Sequence, residues 1–233
     1  MDEAGIPGDR AFFLVDGADR LVSADRLGPL VAVVPAHDPA AGTLTLRFPD
    51  GHELGGPVEL GEGEAVDIYG RRLDARPVLG ELSAALSEHC GSPVRLFTAP
   101  AEANALDRGP EGAVTLLSIA SLERLREQAG DSEPVDPRRF RMTFGVEGLE
   151  AHEEDTWLGS EVRVGELLVR VAGNVGRCAL TTRNADTGAV DFKTLHHLAA
   201  YRREVETTEP LPFGVYAEVV TPGRVRVGDP VGA

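Results

Sequence analysis

Glu161-Val162-Arg163-Val164, then Gly165-Glu166, then Leu167-Leu168-Val169-Arg170-Val171 carries the β signal around which the fold is organised. It consists of two short β-type runs on either side of a turn-forming pair. Outward from it the same pattern recurs at Phe140 to Val146, Ala179 to Arg183, Gly214 to Val220 and Arg224 to Val227. The first hundred residues repeat it at Ala11 to Val15, Leu30 to Val34, Thr43 to Phe48, Ala65 to Tyr69 and Val94 to Phe97. Helical spacing is confined to three places. In Val78 to Cys90 the residues Leu79, Leu82, Ala85, Leu86 and Cys90 follow i, i+3, i+4 steps, with Gly91 as the stop and Cys90 on the buried face. Ser118 to Ala129, closed by Gly130, and Thr194 to Glu204 are the other two. Thr98 to Gly112, with Pro100 and Asp107-Arg108-Gly109-Pro110, reads as a linker or exposed loop. Many short strands with a few segregated helices predict an α+β fold with a barrel-like β core.

The 233 residues are 42% apolar and 26% charged, enough for one large or two small globular domains burying roughly 70–75% of the unfolded surface. A net charge of −15 repels nucleic acid and anionic membranes, so neither is expected as a partner. Lys193 stands alone against 22 arginines, and arginine is the side chain suited to bidentate capture of phosphate or carboxylate. No apolar run approaches the roughly 18 residues of a membrane span. The chain begins Met1-Asp2-Glu3, acidic where a secretory signal is basic, and a cytoplasmic location is the expectation. Cys90 and Cys178 are too few for a disulfide framework or a four-cysteine zinc site.

Familiar metal and nucleotide signatures fail one by one. His52-Glu53 and His152-Glu153 both lack the second histidine of a zincin helix. Adjacent His196 and His197 point to different helix faces. Gly55 to Gly63 carries Glu59 and Glu62, which repel phosphate, and reads as a hairpin connection. The acidic run Glu147, Glu150, Glu153, Glu154, Asp155 lacks the ligand alternation of a calcium loop and reads as a solvated loop leading to Trp157. Cys178 differs from these. It follows Val175-Gly176-Arg177 at the end of an apolar strand, so a glycine-flexed turn presents a thiol beside a cation. A neighbouring guanidinium stabilises thiolate, the form that attacks sulfur or ligates a soft metal; a buried structural cysteine is the alternative reading.

Beyond these local readings an ordered series of motifs runs through the second half. Arg139-Phe140-Arg141, Glu154-Asp155-Thr156-Trp157, Val164-Gly165, Gly176-Arg177-Cys178, Thr181-Thr182, Asp186-Thr187-Gly188, Tyr201-Arg202 and Val227-Gly228-Asp229-Pro230-Val231 together resemble a MOSC domain. This is the domain at the C-terminus of molybdenum cofactor sulfurases and in amidoxime-reducing proteins. Gly5-Ile6-Pro7-Gly8-Asp9-Arg10 and Val22-Ser23-Ala24 are similar to the β-rich domain that precedes it. The resemblance implies a β-rich N-terminal domain over residues 1–100 and a MOSC domain over 101–233, with a few peripheral helices around the barrel-like core. It further implies a molybdenum cofactor (molybdopterin) held in a cleft, with Cys178 as molybdenum ligand and catalytic residue. Arg10, Arg141, Thr143, Gly176 and Arg177 are the implied cofactor-binding residues, and Arg138, Arg139 and Arg141 are expected to form a positive pocket opposite Arg177. The chain departs from the family pattern at Met142-Thr143, where Pro-Asn is usual, and at Glu111-Gly112, where a Thr/Ser pair is usual. The family's first strand, of Tyr-Pro-Val-Lys-Ser type, has no counterpart, and an upstream start is the expectation.

Three functions follow from that resemblance. One is an oxidoreductase reducing N-hydroxylated small molecules with Cys178 on molybdenum and electrons from a donor protein, since the chain carries no flavin or iron–sulfur motif. Another is sulfur transfer through a Cys178 persulfide supplied by a cysteine desulfurase, with pyridoxal phosphate belonging to that partner. Lys193 lacks the glycine-rich phosphate cup a Schiff base would need. The third is a binding module that kept the fold and lost the cofactor.

Overall fold

The computed structural model of the protein describes residues 1–3, 5–99, 109–207 and 209–232. They divide into two compact units, one of Gly8–Asp107 with Arg183–Val190, the other of Met1–Pro7, Arg108–Thr182 and Asp191–Ala233.

The first unit is almost wholly β. Its strands are β1 (Phe12–Val15), β2 (Leu21–Val22), β3 (Val34–Asp38), β4 (Thr43–Arg47), β5 (Glu53–Pro57), β6 (Glu64–Ile68), β7 (Arg71–Pro77) and, after helix α1 (Leu82–Cys90), β8 (Arg95–Thr98). A five-stranded antiparallel sheet runs β2-β1-β8-β7-β6, and β3-β4-β5 form a separate meander. Alternation sets the faces: Leu44 and Leu46 of β4 point inward and meet Leu82 and Leu86 of α1 with Val94 and Leu96. The helix stops at Gly91, which takes the left-handed conformation at φ 62°. Leu79, expected on its apolar face, precedes the helix and is half exposed. Cys90, expected on the buried face, is half-buried, and that burial raises its thiol pKa.

Two expected features of this unit changed. The run Leu30 to Val34 does not form one strand; Gly28–Ala32 make a 3-10 turn with Pro29 at its start, because proline presets the turn dihedral and offers no N–H to a ladder. The connection expected around Gly55 is itself strand β5, paired with β4 through Leu46 and Leu54. Segment Arg183–Val190 packs within this unit, where Arg183 donates to the carbonyls of Asp25 and Gly188, both at 2.8 Å.

The second unit has strands β9 (Val114–Ser118), β10 (Phe144–Val146), β11 (Glu161–Val164), β12 (Leu167–Gly176), β13 (Pro212–Thr221) and β14 (Val231–Gly232), with helices α2 (Ile119–Ala129) and α3 (Thr194–Arg202). Their order is β10-β9-β13-β12-β11-β14. Helix α2 is the crossover that lets β9 and β10 pair in parallel. The β11 and β12 runs pair antiparallel, Val162 with Val169 and Val164 with Leu167. Inward residues of β9, β10, β11, β12 and β13 meet in one core with Trp157, so the sheet curls around its own interior. The fold is therefore α+β with a barrel-like β core, as expected.

Two further runs expected as strands, Ala179 to Arg183 and Arg224 to Val227, are not strands. Ala179 to Thr182 is a 3-10 turn because the Thr181 and Thr182 hydroxyls donate back to the carbonyls of Cys178 (3.0 Å) and Ala179 (2.6 Å). Threonine's β-branch suggested a strand, but its hydroxyl closes the turn. Arg224 to Val227 is irregular, with Arg226 N–H held by the Asp229 carboxylate at 2.7 Å. Of the expected linker Thr98 to Gly112, residues 100–108 lie outside the described residues, and Gly109–Gly112 form a 3-10 turn. Among the described residues no helix is long and apolar enough to cross a membrane.

Candidate functional site

Cys178 stands where β12 gives way to the Ala179–Thr182 turn, and its thiol is exposed. Gly176 ends the strand with its N–H bonded to the Glu209 carboxylate at 2.8 Å. A Cβ at Gly176 would sit 2.7 Å from Glu209 Cβ and 2.9 Å from Pro210 O, so only glycine lets the two chain segments pass this closely. Thr194 at the start of α3 fixes the other side of the turn by donating to Thr181 O at 2.7 Å.

Arg177 turns its guanidinium inward. Nε donates to Phe213 O at 2.9 Å, Nη1 to Phe140 O at 3.1 Å, and Nη2 to Phe213 O and to Met142 Sδ. Its plane lies over the rings of Phe140, 5.3 Å away, and Phe213, 6.0 Å away. Phe140 precedes Arg141 in the chain and Arg177 precedes Cys178, so this cage ties the two candidate residues' segments together. Lysine cannot reproduce a planar fork with donors in three directions. We expect Arg177→Lys to cost about 1–3 kcal/mol in chemical denaturation and to raise the rate at which a thiol reagent labels Cys178. An unchanged labelling rate would show that the cage does not hold this loop.

The other arginines differ in availability. Arg138 pairs with Asp136 at 2.7 Å and Arg139 with Asp191 at 2.7 Å. Arg141 caps the turn Pro137–Phe140 in the left-handed conformation at φ 51°; it is exposed, with no ion-pair partner among the described residues. Of the four guanidiniums expected to face one another, Arg138 and Arg139 are held in ion pairs and Arg177 by carbonyls, while Arg141 has no ion pair and Arg139 Nη1 no hydrogen-bond partner among the described residues. Thr143 is engaged with Thr115: each backbone N–H donates to the other's hydroxyl, at 2.8 and 3.1 Å, clasping the starts of β9 and β10. Arg10 belongs to the first unit, at φ 54°, with Asp9 3.8 Å away. Glu111 is exposed on its turn. His196 and His197, although adjacent, bring their rings into edge contact at 5.4 Å.

Sequence reasoning missed one group. Glu154 has no exposed surface, and Asp155 beside it accepts from Arg202 at 2.5 Å and Asn174 at 2.8 Å. The acidic run is therefore not a wholly solvated loop. The available signal was spacing: residues 154–157 form a 3-10 turn, where i and i+3 share a face, so Glu154 lies on the same side as buried Trp157.

Among the described residues no group of three or more His, Cys, Asp or Glu side chains could hold a metal ion. Cys178 is thus a single soft donor, which suits a metal whose remaining ligands come with a cofactor. Residues 103–232 match the MOSC domain family. The chain belongs to that family. This MOSC protein is 38% identical over 125 residues to mitochondrial amidoxime reducing component 2 of Rattus norvegicus, covering 51% of this chain and 36% of the rat protein. It is 42% identical over 99 residues to the Homo sapiens protein of the same name, covering 40% and 29%. The match thus spans about a third of those relatives' length. YiiM from Geobacillus stearothermophilus aligns at 17% identity over 75% of this chain and 72% of its own, with a TM-score of 0.40, too loose a likeness to bear on the site.

The relatives correct the cytoplasmic expectation, because the amidoxime-reducing components that this MOSC protein matches are mitochondrial by name. An acidic start and short apolar runs describe surface chemistry, whereas compartment is set by address segments read by receptors.

Proposed function

We propose that this MOSC protein binds a molybdenum cofactor with Cys178 as its protein ligand to the metal and reduces N-hydroxylated small molecules. The single observation that carries this reading is the exposed Cys178 thiol at the end of β12, in the Gly176-Arg177-Cys178 motif of the matched family region. The donor set fits the group: a thiolate is soft and anionic, and Arg141 offers a guanidinium to a phosphate-bearing pterin. When bound, the centre supplies two-electron exchange; a separate donor protein restores its electrons. Gly176 and the Arg177 cage hold the thiol loop, and Thr143 with Thr115 sets the segment that follows Arg141.

Exposure of Cys178 also favours a second reading, sulfur carriage as a persulfide delivered by a cysteine desulfurase. One experiment separates them. Protein purified from a cofactor-competent host is analysed for molybdenum and, by intact mass spectrometry, for added sulfur, alongside Cys178→Ser. The expected result is about one molybdenum per chain in the wild type and at least a tenfold loss in Cys178→Ser with unchanged circular dichroism. Wild-type protein without molybdenum but with a persulfide on Cys178 would overturn the redox reading in favour of sulfur transfer. Protein with neither would leave a binding module.

A further inference from the structure

Behind β13 lies a cluster of polar groups that the proposed chemistry does not use. Glu154 is fully buried; its Oε1 receives the Ser121 hydroxyl at a long 3.4 Å, and its Oε2 has no hydrogen-bond partner among the described residues. His152, in the left-handed conformation at φ 64°, gives its N–H to Ser121 Oγ at 2.8 Å, yet both ring nitrogens are buried without partners. The Tyr201 hydroxyl is likewise buried and unpartnered. The His152 ring lies 5.6 Å from that of Tyr201 and 5.7 Å from that of Phe213. Several orphaned polar atoms in one place carry a large desolvation penalty, which a native fold does not leave uncompensated.

The donor and acceptor inventory limits which protonation states fit such a cluster. Neutral imidazole has one N–H and one lone pair, and a phenol can donate and accept. An ionised carboxylate only accepts and would bring an unpaired charge into the cluster; a protonated one adds the missing donor. Among the described residues the nearby cations are engaged elsewhere. Arg202 is committed to Asp155 and to Pro212 O at 3.0 Å, and Arg124 lies over the Tyr201 ring at 5.0 Å. We propose that Glu154 is a buried proton-binding site: its neutral carboxyl, packed with His152 and Tyr201, completes a plug that seats the turn Glu153–Trp157, and loss of the proton to solvent unseats it.

The surrounding charges agree. Burial raises the Glu154 pKa from 4.5 to about 7; Asp155 pushes the same way, while Arg202 and the N–H groups of Glu154 and Ser118 oppose. From α2 the facing charge is Arg124, and from α3 it is Arg202; β9 contributes no titratable group. On β13, Glu218 is paired with Arg170 at 2.8 Å, and Tyr216 is its other titratable residue. Burial takes His152 down to about 3 and Tyr201 up to about 12, so between pH 5 and 9 Glu154 is the group of this plug that titrates. The turn also carries Asp155, and His152 abuts Phe213, whose carbonyl anchors Arg177. Acidity is thereby linked to the residues that hold the Cys178 loop.

Trp157, the one tryptophan of the chain, sits in this turn and reports on it. The purified full chain is titrated from pH 5 to 9 by intrinsic fluorescence, wild type beside Glu154→Gln. The expected result is a transition near neutrality in the wild type that is absent from Glu154→Gln. The raised pKa stabilises the fold fully below about 4.5 and ceases to do so as pH passes about 7. The wild-type folding constant should therefore fall by up to about a hundredfold relative to Glu154→Gln between pH 5 and 9. A flat wild-type titration, or the same transition in both proteins, overturns the proposal. Should Glu154→Gln fail to fold, infrared spectroscopy of the wild type decides: the carbonyl band of a buried un-ionised carboxyl must be present at pH 6 and gone at pH 9. Its absence at pH 6 refutes the proton site.

Discussion

Asp155→Ala is expected to lower stability by about 3–5 kcal/mol in urea denaturation at neutral pH. Arg202 is 5% exposed, and the Asp155 carboxylate takes its Nη2 at 2.5 Å while taking Asn174 Nδ2 at 2.8 Å. Alanine leaves a buried guanidinium with Pro212 O as its remaining hydrogen-bond partner among the described residues. That loss far exceeds the value of a surface pair, because water cannot solvate the abandoned charge. Asp155→Asn keeps an acceptor of the same shape and is expected to cost less. Pairing Asp155→Ala with Arg202→Met, which removes both charges, is expected to recover part of the loss. A single-variant loss below about 1 kcal/mol would mean that Arg202 finds another partner or reaches solvent.

Gly188→Ala is expected to destabilise the first unit by about 3 kcal/mol or more, combining left-handed backbone strain with a clash. Gly188 sits at φ 71°, and a Cβ there would lie 2.1 Å from Gly28 O and 2.8 Å from Gly28 C. Both are backbone atoms, so one segment must move. Arg183, which spans Gly188 O and Asp25 O, would lose its seat when that happens. Gly130→Ala is the control. It has a similar φ of 67° but nothing within 4 Å, and is expected to cost only about 1 kcal/mol. Hydrogen exchange localises the effect: protection should fall in residues 27–33 and 184–190. Equal losses in the two variants would show that dihedral strain alone accounts for the glycine.

Features with a local cause were legible beforehand. Helices α1 and α2 end at Gly91 and Gly130, as their spacing indicated, because a left-handed residue closes a helix whatever surrounds it. Strands β11 and β12 carry their burial pattern in their own alternation. Where local signals competed, the reading failed. Thr181 and Thr182 were strand-like by side-chain shape and turn-like by hydroxyl bonding, and the bonding prevailed. Leu30 lay in an apolar run, but Pro29 set the backbone. At the candidate site the motif located Cys178, while the inward turn of Arg177 depends on carbonyls of Phe140 and Phe213, 37 and 36 positions away in the chain.

The α+β class, the helix stops and the family to which residues 103–232 belong were all readable from the chain, because periodicity, turn chemistry and motif order are properties of neighbours along it. Three-dimensional packing set whether Arg141 and Arg177 stay exposed or turn inward, and which carboxyl of the acidic run lies buried. Arg141 and Arg177 carry the same group, as do Glu153 and Glu154. What separates them is long-range packing, which sets the local dielectric and supplies or withholds partners, and so fixes what each charge can do.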